Sequence, residues 1–313
     1  MANLKLNTLE IMFEEFTNSY DLNTTISRKA EKFFPKPKDM ERGNDTYFVK
    51  QELMLTAVEN TFDVSGSTKA DIIERAIPIT FRNPDNVLYE LTAREMRDPD
   101  KMRDAGKAAA KKLASTVDRI LYQTVALQAA IVVKKVGAFT WDDGALAEAA
   151  LVQRGYESSD TSLFMNAQDW LAVAKDLGNR AYIGDRSKDA YERSKVPDIA
   201  NFQTFRTANQ YNLAAVGTVT GTTVSGTQSY TVTAMTSNIP TDNRQMTLTV
   251  AGANIANTKA GDCFTIAGVN SVHAGDKSDT GSLQTFRILS GQGTASLVIS
   301  PAIIATGPYQ NVT

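Results

Sequence analysis

The sequence predicts an α+β fold carrying a separate all-β unit, and three observations support that expectation. One stretch, from Asp98 to about Val133, has the spacing of a single long amphipathic helix. Two strand-like segments near residues 46–81 are set as a hairpin. Near Gly217 the composition changes abruptly, from a charged chain to one rich in threonine and glycine.

The helix comes first because the other elements need something to pack on. Met102, Ala105, Ala109, Leu113, Val117, Ile120, Leu121, Thr124, Leu127 and Ile131 recur at helical spacing and form one apolar stripe. Asp98 is placed to cap the helix and Pro99 to occupy its first turn, where a missing N–H costs nothing. At 1.5 Å per residue the run makes a rod of about 50 Å, a spine for a mixed domain. Lys107, Lys111, Lys112 and Arg119 alternate with Asp104 and Asp118, the pattern of a solvated helix face rather than of a DNA-binding one. Ala108, Ala109 and Ala110 allow another backbone to come close.

Ahead of the spine, Asn7 or Thr8 begins a short predicted helix whose Leu9, Met12, Phe13 and Phe16 share a face. Such a terminal stripe either packs locally or docks on a neighbouring chain. The proline-punctuated FFPKPKDM reads as extended. TYFVKQE and IIERAIPITF then read as two strands of a long hairpin, with Pro78 suited to an edge. A two-stranded ribbon is marginal alone and must lie against its own body or the next subunit.

Beyond the spine, Trp141 to about Gln153 reads as a helix and SLFMN (162–166) as a buried strand. A further helix is expected over Ala167–Leu177, capped by Asn166. Residues 178–212 read as long loops with one short helix near Lys188–Arg193. From residue 217 only eight of the chain's 68 charged residues remain, while 11 of its 19 glycines fall there. TVTGTTV, SYTVTAM, QMTLTVAG, DCFTIAGV, QTFRIL and ASLVISP succeed one another at turn-sized intervals, which predicts a small sandwich or barrel.

With 313 residues, 42% of them apolar, 22% charged, and a net charge of −2, the chain is an ordinary soluble protein with no electrostatic bias toward nucleic acid. Its one cysteine, Cys263, precludes an internal disulfide. No signal peptide or membrane-spanning run is legible, so synthesis in a cytoplasm is expected. The single histidine, His273, lies ten residues from Cys263 on a different predicted element, which argues against a hydrolase triad. Phosphate-loop, dinucleotide and zinc patterns are absent. Asp142-Asp143-Gly144 and the pair Asp276 and Asp279 read as turn residues rather than calcium ligands. No catalytic, metal or cofactor residue is assigned, and the inventory is that of a non-enzyme.

Several stretches taken in order are similar to a known family. AEKFFPKPKDMERGNDTYFVKQE, LYELTAREMRD, AAAKKLASTVD, SLFMNAQDW, TTVSGTQSYTVTA, KAGDCFTIAGVNSVH and ISPAIIATGPYQNV resemble successive parts of the major capsid (coat) proteins of tailed bacteriophages, in the podovirus-type branch with an inserted β domain. The resemblance implies the Johnson fold of tailed-phage and herpesvirus capsid proteins. It divides the chain into an N-terminal arm (1–44), an extended hairpin loop (45–82), a peripheral domain with the spine helix (83–136), an incomplete axial domain (137–216) and a barrel-like all-β insertion domain (217–313). In that family the chain returns after the insertion to finish the axial domain, so this sequence is expected to be truncated.

The implied function is structural: self-assembly through pentamers and hexamers into an icosahedral shell around double-stranded DNA, with procapsid maturation. Scaffolding and portal proteins are the further implied partners. The DNA would be enclosed without sequence-specific contact, no membrane would be involved, and the virion would be assembled in the bacterial host cytoplasm. Candidate intersubunit contacts are Leu9, Phe13 and Phe16 of the arm with Lys50, Glu52, Glu59, Lys69, Asp71, Glu74 and Arg75 of the hairpin. The rival expectation, a carbohydrate-binding or adhesin-like β module, explains the threonine-rich tail but leaves the spine and hairpin without a role.

Overall fold

A computed structural model describes residues 3–34, 46–55, 57, 62–63, 65–66, 71–80, 84–135, 137–156, 160–180, 193–208, 211, 213 and 219–313, with side chains from residue 9 onward. The fold mixes helices and sheets. In chain order the helices are α1 (Asn3–Asn23), α2 (Ile26–Lys29), α3 (Pro99–Gln128), α4 (Trp141–Val152) and α5 (Ala167–Asn179).

The spine is α3, a 30-residue helix that starts as its sequence dictates. Pro99 stands in the first turn, and the Asp98 carboxylate accepts from the Asp100 N–H at 3.0 Å. It ends at Gln128 rather than near Val133. Its buried seam is Met102, Gly106, Ala110, Ala114 and Asp118, spaced by four. The expected stripe of Ala105, Ala109, Leu113 and Val117 lies one position off, half-buried at the edge of that seam.

The reason is the partner. Instead of a short helix beginning at Asn7 or Thr8, α1 runs for 21 residues along α3. Met12 lies against Gly106, Glu15 pairs with Lys107 at 3.5 Å, and Thr25 reaches Asp118, so the two helices lie side by side in the same direction. A Cβ on Gly106 would stand 2.6 Å from the Met12 carbonyl oxygen, so only glycine permits this approach. Backbone proximity, not side-chain bulk, selects the buried face.

The two strand segments pair, but over five residues each rather than along TYFVKQE and IIERAIPITF, with β1 (Thr46–Lys50) antiparallel to β2 (Ala76–Thr80) and Phe48 opposite Pro78. In two strands every position is at an edge, so Pro78 breaks no interior ladder.

The middle of the chain builds a small α/β layer. Asn166 accepts from the N–H groups of Gln168 and Asp169, both at 2.8 Å, and so starts α5 directly after β3 (Thr161–Met165). Where the sequence predicts loop, a further strand, β4 (Phe202–Arg206), pairs parallel with β3. Their core joins Met165, Val173, Ala174 and Leu177 to Val196 and Ile199. Residues 188–192 of the expected short helix lie outside the described residues.

The C-terminal unit is antiparallel, with strand order β5-β8-β11-β10-β9. These are Thr223–Val224, Met246–Ala251, Ser296–Ser300, Asp279–Ser290 and Cys263–Val272. Along β8, Met246, Leu248 and Val250 are buried while Thr247, Thr249 and Ala251 face solvent, the period of two that its sequence requires. Leu248, Phe286 and Ile299 are fully buried at the centre. The sheet is open: its edges β5 and β9 flank a cleft of about 670 Å³ that includes Val224, Val250, Phe264 and Ile266. SYTVTAM contributes only its last residue to the two-residue β6 (Met235–Thr236), which pairs with β7 (Ile239–Pro240). The rest of that segment is held by Asn243, whose amide bonds both the N–H and the carbonyl of Thr233.

One buried cation joins this unit to the spine. Arg287 of β10, 5% exposed, donates to the carbonyls of Ala126, Ala129 and Gly261. The first two belong to the last turn and C-cap of α3, where a helix leaves carbonyls unpaired and its dipole favours positive charge.

Candidate subunit interface

Packing on α3 uses one side of α1, through Met12, Glu15 and Ser19, and leaves another side in solvent. Leu9 is 57% and Phe13 68% exposed, and Phe16 is half-buried. The three rings Phe13, Phe16 and Tyr20 stack in series, with centroids 6.4 and 6.0 Å apart. One face thus holds the helix to its own spine, while on the aromatic row Phe13 is exposed and Phe16 and Tyr20 are half-buried among the described residues.

The ribbon divides its charged residues between two roles. Lys50 Nζ lies 2.6 Å from a Glu74 carboxylate oxygen, both well exposed, so each is the other's partner within the chain. Glu52 and Asp71 are exposed. Glu59 and Lys69 lie outside the described residues. Arg75 turns inward, its guanidinium carbon 3.9 Å from the centre of the Tyr309 ring. The Tyr309 hydroxyl donates to the Ile73 carbonyl at 2.7 Å, and Met54 and Ile73 pack on the core of the C-terminal unit. The foot of the ribbon is thus seated on the β unit.

Exposed apolar side chains cluster accordingly. Of the described large apolar residues that face solvent, Leu9, Phe13, Leu22, Phe33, Phe34, Leu53, Leu55, Phe62, Ile72, Leu88, Tyr89 and Met96 precede residue 97, Val125, Leu146, Val152, Tyr156, Leu171 and Leu213 lie in the middle of the chain, and the C-terminal unit has Met235, Ile239 and Leu283. Isolated exposed apolar residues are ordinary on any surface, and the denser set ahead of residue 97 makes that part of the chain the candidate contact region.

The candidate chemical groups are separated or otherwise engaged. Cys263 opens the ten-residue β9 and His273 follows its far end, and burial pushes the Cys263 thiol up. Among the described residues no three metal-ligating side chains come together. Asp142 meets Arg180 at 3.1 Å, and Asp143 accepts from the Thr140 N–H and hydroxyl to cap α4. Asp276 and Asp279 accept from the N–H groups of Ser278 and Gly281 in their own turns. Among the described residues no helix is long and apolar enough to cross a membrane.

Sequence alone does not disclose two buried charges. Arg287 reads as one more strand residue, and Asp118 as a surface acid on the solvated face of α3. The only sequence signal for Asp118 is its position four residues after Ala114, on a row of small side chains that admits the neighbouring backbone.

Comparison with known proteins adds two findings. A family model described as "P22 coat protein - gene protein 5" matches residues 1–311. The solved structure of a "CUS-3 coat protein I-domain" aligns at 44% sequence identity, covering 31% of this chain and 87% of that one, with a TM-score of 0.25.

Proposed function

We propose an assembly role for this subunit on one premise: the chain belongs to the P22 coat protein family. It is a structural phage coat protein, a subunit that self-assembles into a capsid shell and resides in the virion. Beyond that level, our reading is a Johnson-fold subunit with arm, extended hairpin, peripheral, axial and inserted β domains. Its pentamers and hexamers close an icosahedral shell around double-stranded DNA, with scaffolding and portal proteins as assembly partners in the host cytoplasm.

The observation that supports this reading is that twelve of the described solvent-facing large apolar residues precede residue 97, among them Leu9 and Phe13 of α1 and Leu53, Leu55 and Ile72 beside the ribbon strands, whereas the C-terminal unit buries nearly all of its own. A ribbon of two strands has free edges and little core, so contact with a neighbour adds the stability that it lacks. Each such contact is weak, and a closed lattice multiplies it across many copies. The contact residues we propose are Leu9, Phe13 and Phe16 together with Lys50, Glu52, Glu59, Lys69, Asp71 and Glu74, with Arg75 acting from the ribbon's foot.

Negative-stain electron microscopy of the protein from its native source tests the proposal. Closed shells of uniform diameter are expected. Dispersed full-mass subunits under every condition tried would overturn it. No observation favours the carbohydrate-binding alternative, and Arg287 builds the β unit into the subunit rather than leaving it a free module.

A further inference from the structure

Where the ribbon's foot meets the β unit, the structure forms a cavity of about 340 Å³. Three cations line it from three different parts of the chain: Arg75 just before β2, Arg154 just after α4, and Lys277 in the turn between β9 and β10. All three are half-buried. None of them forms an ion pair or a hydrogen bond with a carboxylate among the described residues. Arg75 Nε and Arg154 Nη1 are buried atoms without a hydrogen-bond partner, and the Lys277 amine reaches only the Met54 sulfur, at 3.8 Å. A fourth cation at the cavity, Arg244, is already held by Asp242 through contacts of 2.9 and 2.7 Å.

This arrangement runs against the usual rule for buried charge. Polar atoms removed from water are normally hydrogen-bonded, and buried charges are normally paired. Here three like charges share one recess. Burial lowers the proton affinity of both Arg154 and Lys277, the latter further through the positive charge of Arg75, and Asp276 offsets only part of that. Arg75 gains from its stacking on the Tyr309 ring, but the mutual repulsion of the three charges is relieved only when something negative enters the recess. Two guanidinium groups and an ammonium supply the forked and point-like donors that oxyanions accept from.

We propose that this cavity is an oxyanion site taking a group of the phosphate class, bound between the ribbon's foot, the exit of α4 and the β9–β10 turn. The bound anion offsets part of that positive charge and accepts hydrogen bonds from more than one of the three side chains, and thereby clamps the ribbon to the β unit. Free inorganic phosphate and a phosphate of nucleic acid share this chemistry, and the test separates them.

Isothermal titration of the full-length subunit with inorganic phosphate, in chloride buffer of matched ionic strength, should give saturable binding. A parallel titration with a single-stranded octanucleotide identifies the source: tighter binding of the oligonucleotide assigns the site to nucleic-acid phosphate, and equal or weaker binding to the free ion. Lys277→Gln and Arg154→Gln should each weaken phosphate binding by about tenfold or more, the loss expected for one charge-assisted hydrogen bond. Lys277→Gln keeps the test sound if the more buried Arg154 variant does not fold, and circular dichroism in chloride alone checks that both do. Absence of saturable binding, or binding unchanged in a folded Lys277→Gln variant, would overturn the proposal. General stabilisation by phosphate excluded from the surface acts on wild type and variant alike and is removed by that comparison.

Discussion

Two buried ionic side chains do much of the joining in this subunit. Asp118, 3% exposed, accepts from the N–H groups of Thr25 and Ser27 at 2.8 and 3.0 Å, and more distantly from Ile26. Those N–H groups open α2, so a carboxylate from the spine caps the short helix that follows the arm. Asp118→Asn keeps the size but loses the charge and turns an amide donor toward other donors. The expected cost is about 1–3 kcal/mol of subunit stability, with faster hydrogen exchange confined to residues 24–29. Exchange rising uniformly over the chain would refute a local role. Arg287→Met should cost a similar amount by leaving the Ala126, Ala129 and Gly261 carbonyls without a donor, and chemical denaturation of the variant measures it.

A third residue carries a pH dependence. Burial raises the Asp143 carboxyl, but donation from Lys135 and Thr140 outweighs this and holds it below the usual carboxylate value. With its proton affinity depressed in the folded state, its contribution is present above the unfolded carboxylate pKa and lost as pH falls through the folded one. The helical content of α4 should therefore loosen on acidification in the wild type. In Asp143→Asn that local loosening should already be present at neutral pH, as backbone amide shifts over residues 140–146 would register.

Among elements, the contrast between the two faces of α1 separates folding from assembly. Gly106→Ala puts a methyl group against the Met12 backbone, which cannot swing aside as a flexible side chain would. It should lower subunit stability by about 1–3 kcal/mol. Phe13→Ser, at a site already facing solvent, should leave the unfolding midpoint nearly unchanged while reducing the yield of particles. A Phe13 variant that assembles at wild-type yield would take α1 off the interface. The same pair of helices shows what sequence carries and what it omits. The spine, its Asp98 cap and Pro99 are legible because local chemistry alone decides them. The phase of the buried seam is not, since Gly106, Ala110 and Ala114 are chosen for an approaching backbone that lies about 90 residues away in the chain. β4 escapes sequence reading for a related reason: FQTFR is a strand because β3 lies beside it, and its own five residues carry no strong alternation. Of the proposed contact residues, Leu9 and Phe13 are legible as an apolar stripe, whereas the inward turn of Arg75 depends on Tyr309, at the far end of the chain.

For the whole molecule the question is which parts stand alone. The segment from residue 219 to 313 contains its own core, from Val232 and Met246 through Phe286 and Ile299 to Val312, and has few apolar side chains in solvent. Its ties to the remainder include Arg287 and Thr285 to the end of α3 and the residues just after it, the Ala274 N–H to the Arg154 carbonyl, Leu127 and Leu213 against Gly261, and the ribbon's foot through Tyr309, Met54 and Ile73. Such a unit should fold without the rest. Expressed alone, residues 219–313 should unfold in a single cooperative thermal transition, and Phe286→Ala within that fragment should cost about 3–5 kcal/mol, as expected for emptying a fully enclosed aromatic position. In the fragment Arg287 loses its helix-end acceptors and keeps only the Gly261 carbonyl, so Arg287→Met should cost less there than in the full chain. A gradual, non-cooperative melt would instead mean that the β unit depends on the spine for its order. In that case the two would have to be treated as one folding unit, with the joint at Arg287 part of a common core.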